Sequence, residues 1–349
     1  MTVQHIQCKA CFAHGEKDVR VEDRELQLGE HDVLVKVERG GICGSDIHYY
    51  FHGRAGMSIL KNPMVIGHEF AGIVEQAPKD SGLAIGQRVA VNPSQPCNCC
   101  PMCLSGKQNQ CPTMKFMGSA QFNPHVNGGF SEYIVASVAQ CIPYANHVSP
   151  KIMAFSEPLA VAIHAVNIAG SLVGKRVLVT GSGPIGCLIM AAALNSGASE
   201  IVATDMSERC RELAIEMGAS LALDPTDEKA VGQYKENKGY FDVVFEASGA
   251  ASAVASTVEF TKPTGTVVQV GMGASPVNYP LSLMLVKEIN FVGSFRFVHE
   301  FETAVKWLES GRINPLPLLS SEFSKEEIVN ALEFAADKNK AAKVQVYFD

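Results

Sequence analysis

The stretch "GKRVLVTGSGPIGCLIMAAALNSGASEIVATDMSERC", Gly174 to Cys210, decides the fold of this chain. Its residues 176–180 are apolar and β-branched, the composition of a buried strand. Gly181, Gly183 and Gly186 follow as G-x-G-x-x-G, with Pro184 and Ile185 between the last two. Then "CLIMAAALN" reads as a helix, "EIVAT" as a second strand, and Asp205 closes that strand. Each part has a physical task. Gly181 makes the tight turn, Gly183 lets backbone approach a pyrophosphate, and Gly186 lets helix and strand pack closely. The helix N-terminus offers free N–H groups and a positive dipole end to phosphate. Asp205 is placed to accept from the adenine-ribose 2′-hydroxyl and to repel a 2′-phosphate, so NAD is favoured over NADP. A glycine triplet alone is weak evidence, whereas strand, triplet, helix, strand and acid in one unit are specific. A turn with glycines for packing alone leaves Asp205 unexplained. Arg209 either stacks on adenine or reaches a phosphate, which keeps NADP use open, or is a solvated helix residue.

Further strands follow at α/β spacing in "FDVVFEASG", "GTVVQVGMG" and "INFVGSFRF". Their C-terminal ends are expected to line the crevice beside the nicotinamide. The residues concerned are Ser248, then Val270, Gly271 and Met272, then Ser294, Phe295 and Arg296.

Outward from this unit, the bounding quantities are those of an ordinary globular chain. It has 349 residues, 47% hydrophobic and 19% charged, which suits two domains. A net charge of −7 with no Lys/Arg cluster argues against a nucleic-acid partner. No apolar run is long enough to span a membrane, and residues 1–30 lack a signal-peptide core, so a cytoplasmic address is expected. There thiols stay reduced, and the 11 cysteines are better explained by metal ligation and small buried hydrophobes than by disulfides.

Five of those cysteines stand in "PCNCCPMCLSGKQNQCP", Pro96 to Pro112. Cys97, Cys100, Cys103 and Cys111 form C-x2-C-x2-C-x7-C, whose short gaps turn successive thiolates toward one point. Four thiolates without an open position make a structural zinc site. Cys99 breaks the rhythm and is expected to point away. An iron–sulfur cluster or reduced surface thiols are the alternatives, and neither explains the spacing as well.

A second constellation combines "GGICGSDIHYY", "PMVIGHEFAG" and "FSEPLAVAIHA". Cys43, His68 and a carboxylate, Glu69 or Glu157, supply three protein ligands and leave a fourth position for water or substrate, the catalytic arrangement of zinc. Singly each is ambiguous: Cys43 could be a small core residue, "GHE" a satisfied turn, and Glu157 a helix-dipole partner. Ser45 is placed to take a proton from an alcohol held there, and His48 to pass it to solvent. Their bland readings are a turn hydroxyl and a surface histidine.

Along essentially its whole length the chain resembles the zinc-containing medium-chain alcohol dehydrogenases, in their polyol (sorbitol) dehydrogenase branch, and within it the enzymes that oxidise a sugar acid at C5. The motifs are "GICGSDIHYY", "GHE", the four-cysteine lobe, "SEPLAVAIHA", "GSGPIG" and "GSFRF". The resemblance implies a GroES-like β-rich catalytic domain over residues 1–157, with the cysteine lobe at 97–111. It implies a Rossmann doubly wound parallel-sheet cofactor domain over 158–296, and a tail, 297–349, that returns to the catalytic domain. The active site is then expected in the cleft between the domains. It implies two Zn²⁺ per chain, a homo-oligomer (tetramer or dimer), and hydride transfer from a secondary alcohol of a sugar acid or polyol to NAD. In sorbitol-dehydrogenase-like members the "GHE" glutamate ligates and the "SEPL" glutamate holds the zinc water. Classical alcohol dehydrogenases carry a cysteine where this chain has Glu157, so their ligand set does not transfer. An acidic substrate calls for a cation, with Arg54, Lys115 and Arg296 as candidates, and Tyr49 and Phe116 are candidate pocket walls. The rival enzyme reading is a sorbitol or xylitol dehydrogenase with the same metal and cofactor. A non-catalytic NAD(P)-binding relative would have lost Cys43, His68 or Ser45, and all three are intact.

Overall fold

The computed structural model describes residues 3–273 and 276–348, and the chain divides into two units, Met1–Glu157 with Phe301–Asp349, and Pro158–Glu300. In the second unit the strand Arg176–Thr180 is buried at Val177, Leu178 and Val179. It pairs in parallel with Glu200–Thr204 on one side and with Phe241–Glu246 on the other. The sheet has six strands in the order Leu221–Leu223, Glu200–Thr204, Arg176–Thr180, Phe241–Glu246, Thr261–Gln269, Asn290–Gly293, all parallel. Chain order therefore reverses between Arg176–Thr180 and Phe241–Glu246. This is the doubly wound arrangement, whose ligands bind outside the strand ends at the reversal. Successive residues Val177, Leu178 and Val179 are buried, so both faces of that strand are covered, as parallel sheets require. The helix Pro184–Asn195 buries Cys187, Leu188, Ile189 and Met190, and each such side chain withdrawn from water contributes about 1.5–3 kcal/mol.

The first unit is β-rich. Its main sheet has seven strands, ordered Cys141–Pro143, Arg88–Val91, Glu69–Gln76, Asp32–Gly41, Lys343–Tyr347, Leu319–Ser324, with Tyr133–Ser137 also on Asp32–Gly41. A smaller sheet joins Asp18–Leu28, Gln4–Gly15 and Met64–Val65. The apolar positions of these strands meet in one core that includes Val33, Val35, Val37, Phe70, Phe130, Ile134, Val344 and Val346. The tail reaches that core through Ile328, Ala331, Leu332, Val344 and Val346, and two of its elements are legible in the sequence. The helix Glu300–Glu309 buries Phe301, Ala304, Val305 and Leu308 on one face, at i, i+3, i+4 and i+7. The strand Lys343–Tyr347 pairs antiparallel with the end of Asp32–Gly41, placing Gln345 opposite Gly41. No helix among the described residues is long and apolar enough to cross a membrane.

Candidate metal centres and cofactor loop

Cys43 stands in extended conformation immediately before the helix Gly44–His52. His68 and Glu69 sit where a loop runs into the strand Glu69–Gln76. Asp46, fully buried, joins the two places: one carboxylate oxygen accepts from the Cys43 N–H at 2.9 Å, the other from the Gly67 N–H at 3.0 Å. Ligand atoms of Cys43, His68 and Glu69 consequently lie within 4.8 Å of one another. Glu157, second residue of the helix Ser156–Ala169, is buried but stands outside that group of three.

The charges here are not independent. Lys343 Nζ donates to both Glu69 oxygens, at 2.8 and 2.7 Å, and to the Ile42 carbonyl at 3.1 Å. Burial lowers the affinity of that ammonium for its proton, but the carboxylate of Glu69 and then Cys43 outweigh it and hold the pKa above its ordinary value. Burial pushes the Cys43 thiol up to about 12, with Glu69 adding to the effect. Burial likewise pushes Glu157 up to about 8, against His68 and with Glu69 and Cys43. Two buried acidic groups, Cys43 and Glu157, each costly to ionise there, are what a divalent cation relieves. Backbone is cut back to admit Glu69, since a Cβ on Gly41 would come within 2.3 Å of a Glu69 oxygen.

Around this group, Ser45 is half-buried in the first turn of Gly44–His52, and His48 faces outward with its ring 5.7 Å from that of His52. The Phe116 ring lies 5.6 Å from the His68 ring. Tyr49 is in the core, its hydroxyl accepting from the Ala120 N–H at 2.9 Å. Arg54 is exposed and donates to the Gly56 carbonyl of its own turn. Lys115 is exposed on the short strand Lys115–Phe116. Arg296, in the other unit, has φ 55° and its guanidinium 4.9 Å from the Phe295 ring.

The four-cysteine lobe forms a second group within the same radius, Cys97, Cys100, Cys103 and Cys111. Cys100 precedes the short helix Pro101–Leu104 and its sulfur accepts from the Cys103 N–H, while the Cys111 sulfur accepts from the Cys97 N–H. The Cys97 sulfur is 3.9 Å from that of Cys103 and 3.6 Å from that of Cys111. A tetrahedron with arms of ~2.3 Å has edges of about 3.8 Å, so these separations suit four thiolates on one zinc and are far too long for a disulfide. N–H groups of Cys99 and Cys100 pull the Cys97 thiol down to about 5. Cys99 is exposed and not in the group.

In the other unit the glycine loop shows the constraints that the sequence implies. Gly181 has φ 87° and donates to the Thr204 carbonyl at 2.8 Å. A Cβ on Gly186 would fall 1.9 Å from the Gly181 carbonyl oxygen, whereas one on Gly183 would meet nothing within 4 Å. Gly183 thus fronts open space before the helix Pro184–Asn195, with Pro184 and Ile185 in its first turn. Asp205 accepts from the Ser182 N–H at 2.8 Å and the Ser207 N–H at 2.9 Å, one on each oxygen. Each oxygen keeps a lone pair for a ribose hydroxyl. Arg209 lies in the helix Glu208–Glu216. At the far strand ends, the N–H groups of Val270 and Gly271 both donate to the Glu246 carbonyl at 2.8 Å, Met272 is exposed, and the Ser294 N–H donates to the Gln269 carbonyl at 2.8 Å.

Three residues escaped the reading of the sequence. Asp46 carried a signal, because an acid at the third helical position after Cys43 completes a capping box. Glu246 carried a weaker one, an acid ending an otherwise apolar strand. Lys343 carried none, because its partner Glu69 is 274 positions away.

The family model described as "Alcohol dehydrogenase GroES-like domain" matches residues 29–146, and that described as "Zinc-binding dehydrogenase" matches residues 184–310. The chain is 48% identical over 343 residues to the L-idonate 5-dehydrogenase (NAD(P)(+)) of Escherichia coli strain K12, covering 98% of this chain and 99% of that protein. It is 37% identical over 316 residues to a probable D-xylulose reductase A of Neosartorya fischeri, covering 88% and 87%. The crystal structure of L-idonate 5-dehydrogenase from Escherichia coli K-12 superposes with a TM-score of 0.97 at 47% identity, covering 100% of both chains.

Proposed function

The chain belongs to the zinc-binding alcohol dehydrogenase family, and on that footing we propose that it oxidises the C5 hydroxyl of L-idonate with NAD(P)⁺, giving 5-keto-D-gluconate, NAD(P)H and a proton. The observation that carries the reading is the convergence of Cys43, His68 and Glu69 in a chain 48% identical to an L-idonate 5-dehydrogenase. A sorbitol or xylitol dehydrogenase remains the second reading, favoured by the similarity to D-xylulose reductases at 37%.

The donor sets fit two zinc ions. Cys97, Cys100, Cys103 and Cys111 would hold a structural ion, which ties down a lobe whose own core is small. Cys43, His68 and Glu69 would hold the catalytic one, with Glu157 behind them. Bound there, zinc supplies Lewis-acid polarisation of a substrate hydroxyl. Asp46 fixes the spacing of Cys43 and His68, and Lys343 grips both carboxylate oxygens of Glu69. Ser45 would accept the hydroxyl proton while releasing its own toward His48, which, facing outward, would pass it to water. Burial, the His52 ring and then Lys338 lower the His48 pKa, which keeps that imidazole neutral and able to accept. Phe116 covers the ring of His68 and limits water access.

Gly181, Gly183 and Gly186 bind the pyrophosphate at the helix Pro184–Asn195, and Asp205 takes the adenine ribose. For an acidic substrate the candidate cations are Lys115, on the strand of Phe116, Arg54 and Arg296. We place the protein in the cytoplasm as a homo-oligomer; eleven cysteines without a disulfide among the described residues fit a reducing compartment. NAD⁺ reduction with L-idonate, xylitol and sorbitol at equal concentrations tests the substrate. Turnover on L-idonate well above both polyols supports the sugar-acid reading, and preference for a polyol moves the enzyme to the second.

A further inference from the structure

Glu246 ends the central strand Phe241–Glu246 on the nicotinamide side of the reversal in chain order, and its side chain is fully buried. One carboxylate oxygen accepts from the Ser248 N–H at 2.9 Å, the Gly249 N–H at 3.1 Å, the Ser248 hydroxyl, and the Thr180 hydroxyl at 3.4 Å. The other accepts from the Gly249 N–H at 3.0 Å and the Gln269 side-chain amide at 2.6 Å. Thr180 ends the strand Arg176–Thr180 and Gln269 ends Thr261–Gln269, so one carboxylate ties three adjacent parallel strands at their C-terminal edge. The same residue's backbone carbonyl takes the N–H groups of Val270 and Gly271.

Two features separate this group from an ordinary turn cap. Every partner of its two oxygens is a donor, which is what an ionised carboxylate accepts and a carboxamide cannot match. All those partners are also neutral, and among the described residues no arginine or lysine donates to it. Buried carboxylates are ordinarily paired with a cation. This one is held by dipoles alone, at the edge of the sheet where a doubly wound fold receives its ligand.

We propose that Glu246 is a positioning residue for the nicotinamide half of the cofactor site, fixing the backbone at 248–249 and 270–271, and that its unpaired charge weights the site toward the oxidised, cationic nicotinamide over the neutral reduced ring. The inference rests on the reading of this unit as the NAD(P) site. A fixed negative charge under that site stabilises the positive ring by Coulomb attraction and leaves the uncharged dihydro ring nearly unaffected.

Binding of NAD⁺ and NADH, each measured without substrate by calorimetry and by nicotinamide fluorescence, tests it. Glu246→Gln is expected to raise the NAD⁺ dissociation constant about ten-fold more than that of NADH, the scale of one charge acting through a partly polar interior. Glu246→Asp keeps the charge but shortens its reach, and is expected to weaken both forms by the same factor. Gln269→Met removes one tie without touching the charge and is expected to do likewise. Equal weakening of both forms in Glu246→Gln would leave a merely structural role and overturn the electrostatic part. Undiminished binding in Glu246→Asp would overturn the positioning part, and does so even if Glu246→Gln fails to fold. No binding of either nucleotide by the unaltered protein would overturn the cofactor reading and this inference together.

Discussion

Lys343 donates to both carboxylate oxygens of Glu69, at 2.8 and 2.7 Å, with both side chains buried. The contact exists because the last strand inserts beside Asp32–Gly41, setting position 343 against the start of Glu69–Gln76. It sets a positive charge against the Glu69 carboxylate beside Cys43.

Replacing Lys343 with Met should therefore leave an uncompensated buried carboxylate and destabilise the first unit by ~3–5 kcal/mol. Urea unfolding of the zinc-free protein reads this directly. The double variant Lys343→Met, Glu69→Gln should recover much of the loss, since neither charge then remains.

Within the lobe, the five cysteines divide four to one. Cys103→Ser should remove one zinc per chain by atomic absorption and lower the thermal midpoint, because a closed thiolate site contributes folding free energy. Cys99→Ser should leave both metal content and stability unchanged, within about 0.5 kcal/mol, as for an exposed side chain without such a role.

Glu300 accepts from His164 Nδ1 and the Asn167 amide, both at 3.0 Å, and from the Val298 N–H at 2.7 Å. Burial acts to raise its pKa, but those donors win and bring it from the usual 4.5 down to about 2. A depressed carboxyl stabilises the fold above its unfolded pKa, and that contribution is lost as pH falls toward the folded one. Between pH 4.5 and 2 the protein should thus lose stability more steeply than its Glu300→Gln variant, as measured by denaturant midpoints across that range.

On the proposed reading, cofactor choice depends on Asp205. Asp205→Ser removes the ribose acceptor and the repulsion of a 2′-phosphate, and should raise KM for NAD⁺ about ten-fold while lowering that for NADP⁺. Steady-state kinetics with each cofactor provide the check.

Much of this architecture is written locally. The doubly wound unit declares itself because its turn, helix start and strand ends are contiguous, and Gly186 meets a constraint set by Gly181 close by. The cysteine lobe is legible for the same reason, all four sulfurs lying on one short loop. Legibility fails where long-range pairing decides. The Lys343–Glu69 contact follows from strand order, and the core position of Tyr49 follows from a hydroxyl partner, Ala120, that no spacing reveals. Glu246 was hidden differently: an acid at a strand end reads as solvent-facing until the neighbouring strands are seen to close over it.

The central claim, a zinc-dependent hydride transfer at Cys43, His68 and Glu69, is met most directly by one paired measurement on the unaltered protein and Cys43→Ser. Zinc per chain is counted and NAD⁺ reduction with L-idonate is followed on the same samples. Two zinc ions and turnover are expected in the former, and in the latter one zinc, an intact fold and turnover lower by about a thousand-fold or more. Two zinc ions or undiminished turnover in Cys43→Ser would contradict it.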